Sequence, residues 1–235
     1  MNKNSNIYVI LYSAVMVIIV AIGLAFTSEM LKDRQRTNAN VDTMRQILRS
    51  LHIEADGKEA QEQYAQVIVE AYLVDANGEV IPGSEGTGVT DQAFTTRLQD
   101  LMSQPRYPVF VAEVDGSRKY IVGMYGAGLW GPLWGYLALN DDANTIYGAT
   151  MDHAGETPGL GAEIATKHFL DEFTGLEIYR DGELKSIAVV KPGKSVSDRA
   201  YVDGISGGTL TSHGVDQMLS ASLKLYEPFL NKIKR

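Results

Sequence analysis

An uninterrupted apolar segment near the N-terminus constrains this chain more than any other feature of its sequence. Residues 7–26 read IYVILYSAVMVIIVAIGLAF and carry no charge. A helix of about twenty residues covers the roughly 30 Å of a bilayer's hydrocarbon core. A cleaved signal peptide would have a shorter apolar region, and no small-residue cleavage site precedes the charged SEMLKDRQR that follows. We therefore predict a retained transmembrane helix.

Charge does not decide on which side of the membrane the rest of the chain lies. Lys3 precedes the apolar segment, whereas Lys32, Arg34 and Arg36 follow it. The positive-inside rule would mildly favour a cytoplasmic C-terminal domain, but long domains are translocated regardless of such short counts.

Composition narrows the class of the remaining chain. Apolar residues make up 45% of the 235 residues, which permits a packed core, and the roughly 200 residues outside the anchor suit one sizeable domain or two small ones. The net charge of −8 and the lack of a basic stripe argue against nucleic-acid binding, which needs clustered Lys and Arg. The absence of cysteine excludes disulfides, thiolate catalysis and cysteine-ligated metal clusters within the chain.

Periodicity and turn signals predict an α+β fold, with one N-terminal transmembrane helix followed by a mixed α/β domain. Three strand pairs are expected, at residues 64–81 about Asn77–Gly78, at 109–125 about Asp115–Gly116, and at 176–193 about Asp181–Gly182. A helix is expected to run from the membrane span to about residue 51. Two shorter helices are expected within 90–102 and 165–173. A C-terminal helix is indicated by one apolar face, formed by Val215, Met218, Leu219, Leu223, Tyr226, Phe229, Leu230 and Ile233.

A second uncharged stretch, Tyr120–Leu139, is long enough to suggest another membrane span. It contains five glycines and Pro132, which divide it into strand, loop and strand. For Trp134, a core position and a position outside the core are equally expected. Trp130, within GAGLWGP, is interpreted as a ring presented from a loop.

The segment DGISGGTLTS, residues 203–212, permits three interpretations. Residues 204–208 match G-x-S-x-G, the nucleophile elbow of serine hydrolases. That fold needs an acid and then a histidine well downstream, but only 29 residues follow Ser206, and His213 is just seven positions away. The second interpretation is a glycine-rich turn with a Ser/Thr cap for the last helix.

The third interpretation is an anion site. Gly207 and Gly208 allow successive backbone N–H groups to face one concavity, and a helix that begins near Thr211 or Ser212 adds its positive end. Thr209 and Thr211 supply hydroxyl groups. A phosphate group would be held there without a lysine.

A second segment, ETPGLG at residues 156–161, has a proline-stiffened turn with Leu160 between two glycines. It is either an ordinary turn or one made narrow so that a flat ring lies against Leu160, with Trp130 as a further apolar wall. An apolar cleft together with a phosphate nest is what flavin mononucleotide requires.

These segments together resemble the family of covalently flavinylated FMN-binding domains. The N-terminal span, YGAGLWGPLWGYLAL, HAGETPGLGAEI and DGISGGTLTS are most similar to the C subunits of Na+-translocating NADH:quinone oxidoreductases, and the resemblance covers the chain from end to end. We divide the chain accordingly into an N-terminal tail at 1–6, the transmembrane helix at 7–26, a helical connector at 27–52, and a covalent FMN-binding domain at 53–235.

In that family the motif S/T-G-A-T carries FMN through a phosphoester on its final threonine, and the matching position is Thr209. Ser206 and Gly207 match the first two positions, and Asp203 matches the acidic residue that begins the longer signature. Gly208 replaces the usual alanine, which should not block the bond but can slow recognition by the flavin transferase. The other cofactor-binding residues are expected to be Leu210, Thr211, Leu129, Trp130, Glu156, Thr157, Gly159, Leu160 and Gly161.

The resemblance implies a redox subunit that relays electrons through covalent FMN, without catalytic acid or base residues, in a translocase of the NADH:ubiquinone reductase type. It implies partners in a multi-subunit membrane respiratory complex of the bacterial inner membrane, contact with lipid, and a periplasmic flavin domain modified by the transferase. The span contains no charged residue and would be a poor ion conduit, so sodium transport is expected of the partner subunits.

Two alternatives remain open, a G-type subunit of a ferredoxin:NAD electron-transport complex and a membrane-anchored module that binds a phosphate ligand without electron transfer. His153 and Glu156 have an H-x-x-E spacing but lack further metal ligands. Glu156 and Thr157 either hydrogen-bond the flavin or cap the turn, and His52 and His168 are interpreted as ordinary helix residues.

Overall fold

The computed structural model describes residues 6–234 and divides the chain into two compact units, one ending at Asp42 and the other beginning at Thr43. The first helix, α1, spans Asn6–Ser50 and runs through this boundary. Among the described residues it is the single helix that is both long and apolar enough to cross a membrane, and the side chains of residues 7–26 are almost all exposed. The predicted span and most of the predicted connector therefore form one continuous helix.

A five-stranded antiparallel sheet forms the centre of the second unit, with its strands in sequence order. The strands are β1 (Ile68–Val74), β2 (Tyr107–Val114), β3 (Ser117–Ala127), β4 (Pro132–Leu139) and β5 (Ile146–His153). Asp115 and Gly116 have φ values of 51° and 73°, as a tight hairpin turn between β2 and β3 requires. The strand pair predicted there is confirmed, and so is the strand–loop–strand interpretation of Tyr120–Leu139.

Helices cover both faces of this sheet. The C-terminal helix, α5 (Thr209–Ile233), lies along β3. The apolar face predicted for it is buried in the main core with Val122 and Leu137, except for Ile233, which is half-buried. Alternate strand residues such as Phe110 and Ile121 are also buried, because successive side chains of a strand point to opposite faces. Near the other face, α2 (Gly57–Val67) and α3 (Gln92–Thr95) contact β1 and β2. The α+β class is confirmed.

Tyr226 of α5 bridges a gap in the hydrogen bonding between β2 and β3. The register of these strands starts at the pair Val109 and Val122, so the next pair is Pro108 and Gly123, and Pro108 has no N–H to donate. The Gly123 N–H donates to the Tyr226 hydroxyl at 3.3 Å, and this hydroxyl donates to the Pro108 carbonyl at 3.1 Å. The bridge fixes α5 against the middle of the sheet.

Shorter elements complete the unit. The helix α4 (Lys167–Asp171) confirms the prediction within 165–173, and the hairpin of β6 (Tyr179–Arg180) and β7 (Glu183–Leu184) confirms the turn at Asp181–Gly182. β8 (Ala188–Val190) pairs in parallel with β9 (Tyr201–Asp203). That pairing was not predicted, because the residues before Asp203 are polar and carry no strand pattern.

Two predicted elements are wrong in part. In the segment 64–81, the residues up to Val67 belong to α2, where Tyr64 is buried, and the second strand is reduced to a bridge between Val74 and Val80. In the segment 90–102, α3 ends at Thr95 and only a three-residue 3₁₀ turn follows. The hydroxyls of Thr95 and Thr96 donate to backbone carbonyls one turn back, a bond that competes with helix continuation.

His52 does not lie within a helix as expected. It follows the end of α1 with φ of 60°, a left-handed conformation common after a helix C-terminus. Its Nε2 lies 2.7 Å from the Tyr147 carbonyl oxygen, so the side chain fastens the end of α1 to the edge strand β5.

Candidate functional site

The glycine-rich segment forms a tight turn that leads directly into α5. The Gly208 N–H donates to the Ile205 carbonyl at 3.0 Å, and Gly207, the third residue of this turn, has φ of 76°. A type II turn requires a positive φ at that position, which glycine adopts without steric cost. The Ile205 N–H donates to the Ser212 hydroxyl at 2.9 Å, so the first turn of α5 holds the preceding loop in place.

Thr209 is the first residue of α5, two residues before the predicted start of the helix. Its side chain is exposed, and its hydroxyl has no hydrogen-bond partner within the described part of the chain. The Ser212 N–H already donates to the Gly208 carbonyl. The N–H groups of Thr209, Leu210 and Thr211 precede this bond, so they have no acceptor inside the helix. An available hydroxyl and three backbone donors thus share one helix end, where an anion is favoured.

The ETPGLG segment forms a second tight turn against the first. The Leu160 N–H donates to the Thr157 carbonyl at 3.1 Å, with Pro158 and Gly159 between them and a φ of 73° at Gly159. This is the residue pattern of a type II turn. Leu160 is 42% exposed, and its side chain lies beside Gly207.

The loop between β3 and β4 supplies the third segment. The Gly128 N–H donates to the Gly131 carbonyl at 2.7 Å, which closes the loop. Leu129 and Trp130 at its tip are 48% and 67% exposed. Trp130 is therefore presented from a loop, as predicted, whereas Trp134 on β4 is half-buried.

Glu156 joins these segments. Its Oε1 accepts a hydrogen bond from the Trp130 N–H at 2.8 Å, and its Oε2 accepts one from the Thr211 hydroxyl at 2.6 Å. The side chain is only 4% exposed. Gly128 and Gly161 leave space for the carboxylate, because a Cβ on either glycine would overlap one of its oxygens. Glu156 thereby connects the 128–131 loop, the 156–161 turn and the start of α5.

The surroundings of Glu156 favour its ionised form. Burial by itself opposes ionisation, but hydrogen bonds from the Thr211 hydroxyl and from the backbone N–H groups of Trp130 and Leu129 stabilise the charge. The pKa of Glu156 consequently lies below its ordinary value of 4.5. At neutral pH the site contains a buried anion that the protein's own donors satisfy.

The residues present fit a flavin mononucleotide. The exposed Thr209 hydroxyl and the free N–H groups beside it suit a phosphate group, and the glycine turn before them keeps bulky side chains away. Four exposed apolar side chains on the three joined segments can contact a flat ring system. They are Leu129, Trp130, Leu160 and Leu210.

Several predicted site residues have positions that sequence reasoning did not anticipate. Thr211 is 1% exposed, and its hydroxyl donates to Glu156 rather than facing outward. Glu156 is engaged by protein groups through both oxygens, so its expected contact with flavin remains a prediction. Thr157 is exposed, and its carbonyl accepts from Leu160 and Ala162. Asp203 is exposed at the end of β9, with its N–H donating to a Glu172 carboxylate oxygen.

The hydrolase and metal interpretations gain no structural support. Among the described residues no hydrogen bond joins Ser206 to His213, whose Nε2 instead lies 3.2 Å from the Gln217 amide nitrogen. The Nδ1 of His153 accepts from the Glu156 N–H at 3.2 Å. The H-x-x-E spacing therefore stabilises a turn, and no group of three or more metal-ligating side chains occurs in residues 6–234.

Two residues that shape the site were missed from the sequence. Gly128 makes room for the Glu156 carboxylate, and Ser212 ties the 203–208 loop to α5. Gly128 is one of several glycines in an irregular stretch, and Ser212 is one of several hydroxyl residues at a helix start. Neither has a spacing that distinguishes it before the fold is known.

Comparison with known proteins agrees with this geometry. The family described as the FMN-binding domain matches residues 128–224, a range that contains all three segments of the site. The C subunit of the Na(+)-translocating NADH-quinone reductase of Vibrio alginolyticus is 33% identical over 220 residues, which cover 87% of this chain and 86% of that protein.

Solved structures of similar proteins share the fold. The crystal structure of the Na(+)-translocating NADH-quinone reductase C subunit from Parabacteroides distasonis is 52% identical, with a TM-score of 0.80, and the match covers 85% of this chain and 96% of that one. The crystal structure of NqrC from Shewanella oneidensis is 26% identical, with a TM-score of 0.68, over 83% of this chain and 97% of that one. The likeness thus extends over nearly the full length of each solved chain.

Proposed function

The chain belongs to the family of Na(+)-translocating NADH-quinone reductase C subunits, and on that premise we propose that it is a redox subunit of such a complex. In this proposal it relays electrons through an FMN joined to Thr209 by a phosphoester. The observation that carries the proposal is the exposed Thr209 hydroxyl at the start of α5, directly after the Gly207–Gly208 turn. When bound, the flavin supplies the one- and two-electron chemistry.

The residues of the chain would hold and orient the cofactor. The Thr209 Oγ would carry the phosphate, and the N–H groups at the start of α5 would face its oxygens. Attachment at a single point fixes only one end of the cofactor. The exposed apolar side chains of Leu129, Trp130 and Leu160 would then contact the ring system and limit its contact with water. Gly159 and Gly161 would keep the turn beside the ring narrow.

Asp203 and Ser206 are proposed to take part in attachment rather than in electron transfer. Both are exposed and precede Thr209 by six and three residues, and a flavin transferase would reach them from solvent. Gly208 would complete the tight turn that precedes Thr209, through its N–H bond to the Ile205 carbonyl. No catalytic acid or base is proposed, because the chain is proposed to carry electrons and not to break or form a bond in a substrate.

Membrane attachment is proposed to occur through the apolar part of α1, in contact with lipid of the bacterial inner membrane. This part of the helix carries no Asp, Glu, Lys, Arg or His, and such a span is a poor ion conduit. Sodium translocation would therefore belong to other subunits of the complex. We further propose that the flavin domain lies on the periplasmic side, where the transferase would modify it.

The attachment is tested by producing the full chain together with a flavin transferase and running the denatured protein on a gel. The wild-type chain should fluoresce under ultraviolet light, and the peptide that contains Thr209 should gain the mass of one FMN less one water. Thr209→Ala should remove both signals. Ser220→Ala, which deletes another exposed hydroxyl of α5, should leave them unchanged. A fluorescent Thr209→Ala band would place the attachment elsewhere.

Electron relay is tested in the assembled complex. Addition of NADH should reduce quinone in the complex that contains the wild-type chain, and Thr209→Ala should abolish this reduction although the complex still assembles. Full activity of a flavin-free Thr209→Ala complex would leave the chain as a binding module without a redox role.

A further inference from the structure

Glu156 is buried, although an acidic residue in a turn is ordinarily exposed to solvent. It is the one buried acidic side chain among residues 6–234, and an isolated buried carboxylate is costly unless donors satisfy it. Here one oxygen faces the backbone of the 128–131 loop, and the other faces a hydroxyl in the first turn of α5. The turn that carries Glu156 lies between these two elements.

The packing around the carboxylate shows that the arrangement is specific. Gly128 and Gly161 are positions at which any larger residue would overlap a carboxylate oxygen. Thr211, the donor on α5, is itself buried and lies two residues after Thr209. This side chain therefore connects the loop that presents Trp130 to the helix end that presents Thr209. It acts beside a second contact, the close packing of Gly214 of α5 against the Ala127 carbonyl.

We propose that Glu156 is a positioning residue, whose buried carboxylate fastens the 128–131 loop to the first turn of α5 and thereby sets the orientation of Trp130 toward Thr209. It acts through Trp130 and Thr211 and does not itself have to contact a ligand. The consequence for flavin rests on the proposed function, whereas the connection between loop and helix does not.

The chain permits variants that separate the connection from the charge. In Glu156→Gln the amide oxygen can still accept from the Trp130 N–H, and the amide nitrogen can donate to the Thr211 hydroxyl, which is able to accept. Glu156→Ala loses both bonds. Both variants lose the negative charge, so a difference between them reports the connection alone. Thr211→Val breaks only the bond to α5, and Thr211→Ser retains it.

The first measurement is hydrogen exchange of the full chain carrying Thr209→Ala, which removes any attached flavin from the comparison. Glu156→Ala should accelerate exchange of the Leu129 and Trp130 amides by about tenfold or more, since hydrogen bonds to a charged acceptor are lost. Glu156→Gln should stay near the wild-type rate, and amides of the β2–β3 turn should not change. Equal exchange in the Ala, Gln and wild-type chains would overturn the proposal.

If Glu156→Ala fails to fold, its amides will lose protection from hydrogen exchange throughout the chain. A second variant tests the proposal in that case. Thr211→Val keeps the carboxylate and removes one donor, so the fold should persist while exchange in the 128–131 loop rises. Thr211→Ser should restore the wild-type rate. Loop exchange that is the same in the Val and Ser variants would contradict a link between loop and helix.

The second measurement concerns flavin and uses chains with Thr209 intact. The visible circular dichroism of bound flavin should be the same in Glu156→Gln as in the wild type and altered in Glu156→Ala, because only the latter releases Trp130. Identical spectra in the Gln and Ala variants would show that the residue does not position the site. If the wild type itself binds no flavin, the proposed function fails, but the exchange experiment still decides the role of Glu156.

Discussion

A Cβ atom on Gly207 would lie 2.7 Å from the Cδ2 of Leu160, and the Gly207 backbone has φ of 76°. Two segments that are distant in the sequence therefore meet at a position where the backbone conformation favours glycine and an added methyl group would have to displace the end of the Leu160 side chain. The contact places the exposed Leu160 side chain directly beside the turn that presents Thr209.

Gly207→Ala should destabilise the domain and reduce flavin attachment. The left-handed conformation costs an L-residue about 1–2 kcal/mol, and the new methyl group must also displace Leu160. The measurements are the free energy of unfolding by chemical denaturation and in-gel flavin fluorescence. Gly193→Ala is the matched control, because Gly193 has φ of 77° and open space where a methyl group would lie. A loss no larger than that of Gly193→Ala would mean that the Leu160 contact contributes nothing.

Gly208→Ala should preserve attachment at Thr209. The φ of −104° at Gly208 is accessible to any residue, and a Cβ there would lie 3.1 Å from Ile205 atoms and 3.2 Å from the Gly161 nitrogen. A shift of a few tenths of an ångström accommodates it, at a cost of about 1 kcal/mol, the low end for adding a carbon atom to a packed site. Gly208→Val adds further atoms to the same gap and should lower the yield. The extent of flavin incorporation checks both variants, and complete loss in the alanine variant would contradict the expectation.

Stability should fall in acid partly through Glu156. Its pKa in the folded chain is lower than the ordinary 4.5, so its contribution is present above pH 4.5 and is lost as the pH falls through the folded-state value. Glu156→Gln has no group to protonate and should lose less stability over that range. Thermal unfolding of both chains between about pH 3 and 7 measures the difference.

The carboxyl groups that the wild-type and Glu156→Gln chains share are the internal reference in that experiment. The pKa of Asp142 is also lowered, because hydrogen bonds from Thr145 and Asn144 outweigh the opposing effect of burial. Asp142 is retained in both chains, so the difference between them isolates Glu156. Parallel acid profiles would show that the Glu156 pKa is the same folded and unfolded.

Tyr226→Phe should destabilise the domain by about 1–3 kcal/mol, the cost of leaving buried polar groups unpaired. Without the hydroxyl, the Gly123 N–H and the Pro108 carbonyl lose the group that joins them. Chemical denaturation measures the change. Tyr201→Phe removes an exposed hydroxyl and should have almost no effect, and a similarly silent Tyr226→Phe would mean that the strands close without the bridge.

A chain that starts at Thr43 should leave the membrane and keep its fold. It lacks the apolar part of α1 but retains the buried residues Ile47, Leu48 and Leu51. A chain that starts at Ile53 loses these core side chains and should unfold at a lower temperature, since each buried Leu or Ile that is removed costs about 2–5 kcal/mol. Membrane fractionation and thermal unfolding distinguish the two. Equal stability of both chains would show that the end of α1 is not part of the core.

The features that were predicted correctly depend on neighbouring residues. The turns at Asp115–Gly116 and Asp181–Gly182 follow from residues that tolerate a positive φ. The glycines and Pro132 that interrupt Tyr120–Leu139 exclude a continuous helix for the same local reason. The features that were missed depend on contacts between distant segments. Thr211 has the same hydroxyl as Thr209, and only packing turns one inward and leaves the other exposed.

Local spacing was enough to specify the apolar N-terminal helix, the amphipathic last helix and the glycine turn before Thr209, because each depends on a short run of successive residues. Folding in three dimensions was needed to establish that α5 begins at Thr209, that Tyr226 bridges β2 and β3, and that Glu156 joins the loop at Trp130 to Thr211. A buried polar group takes its partners from whatever the fold brings within hydrogen-bond distance, and those partners have no set separation along the chain.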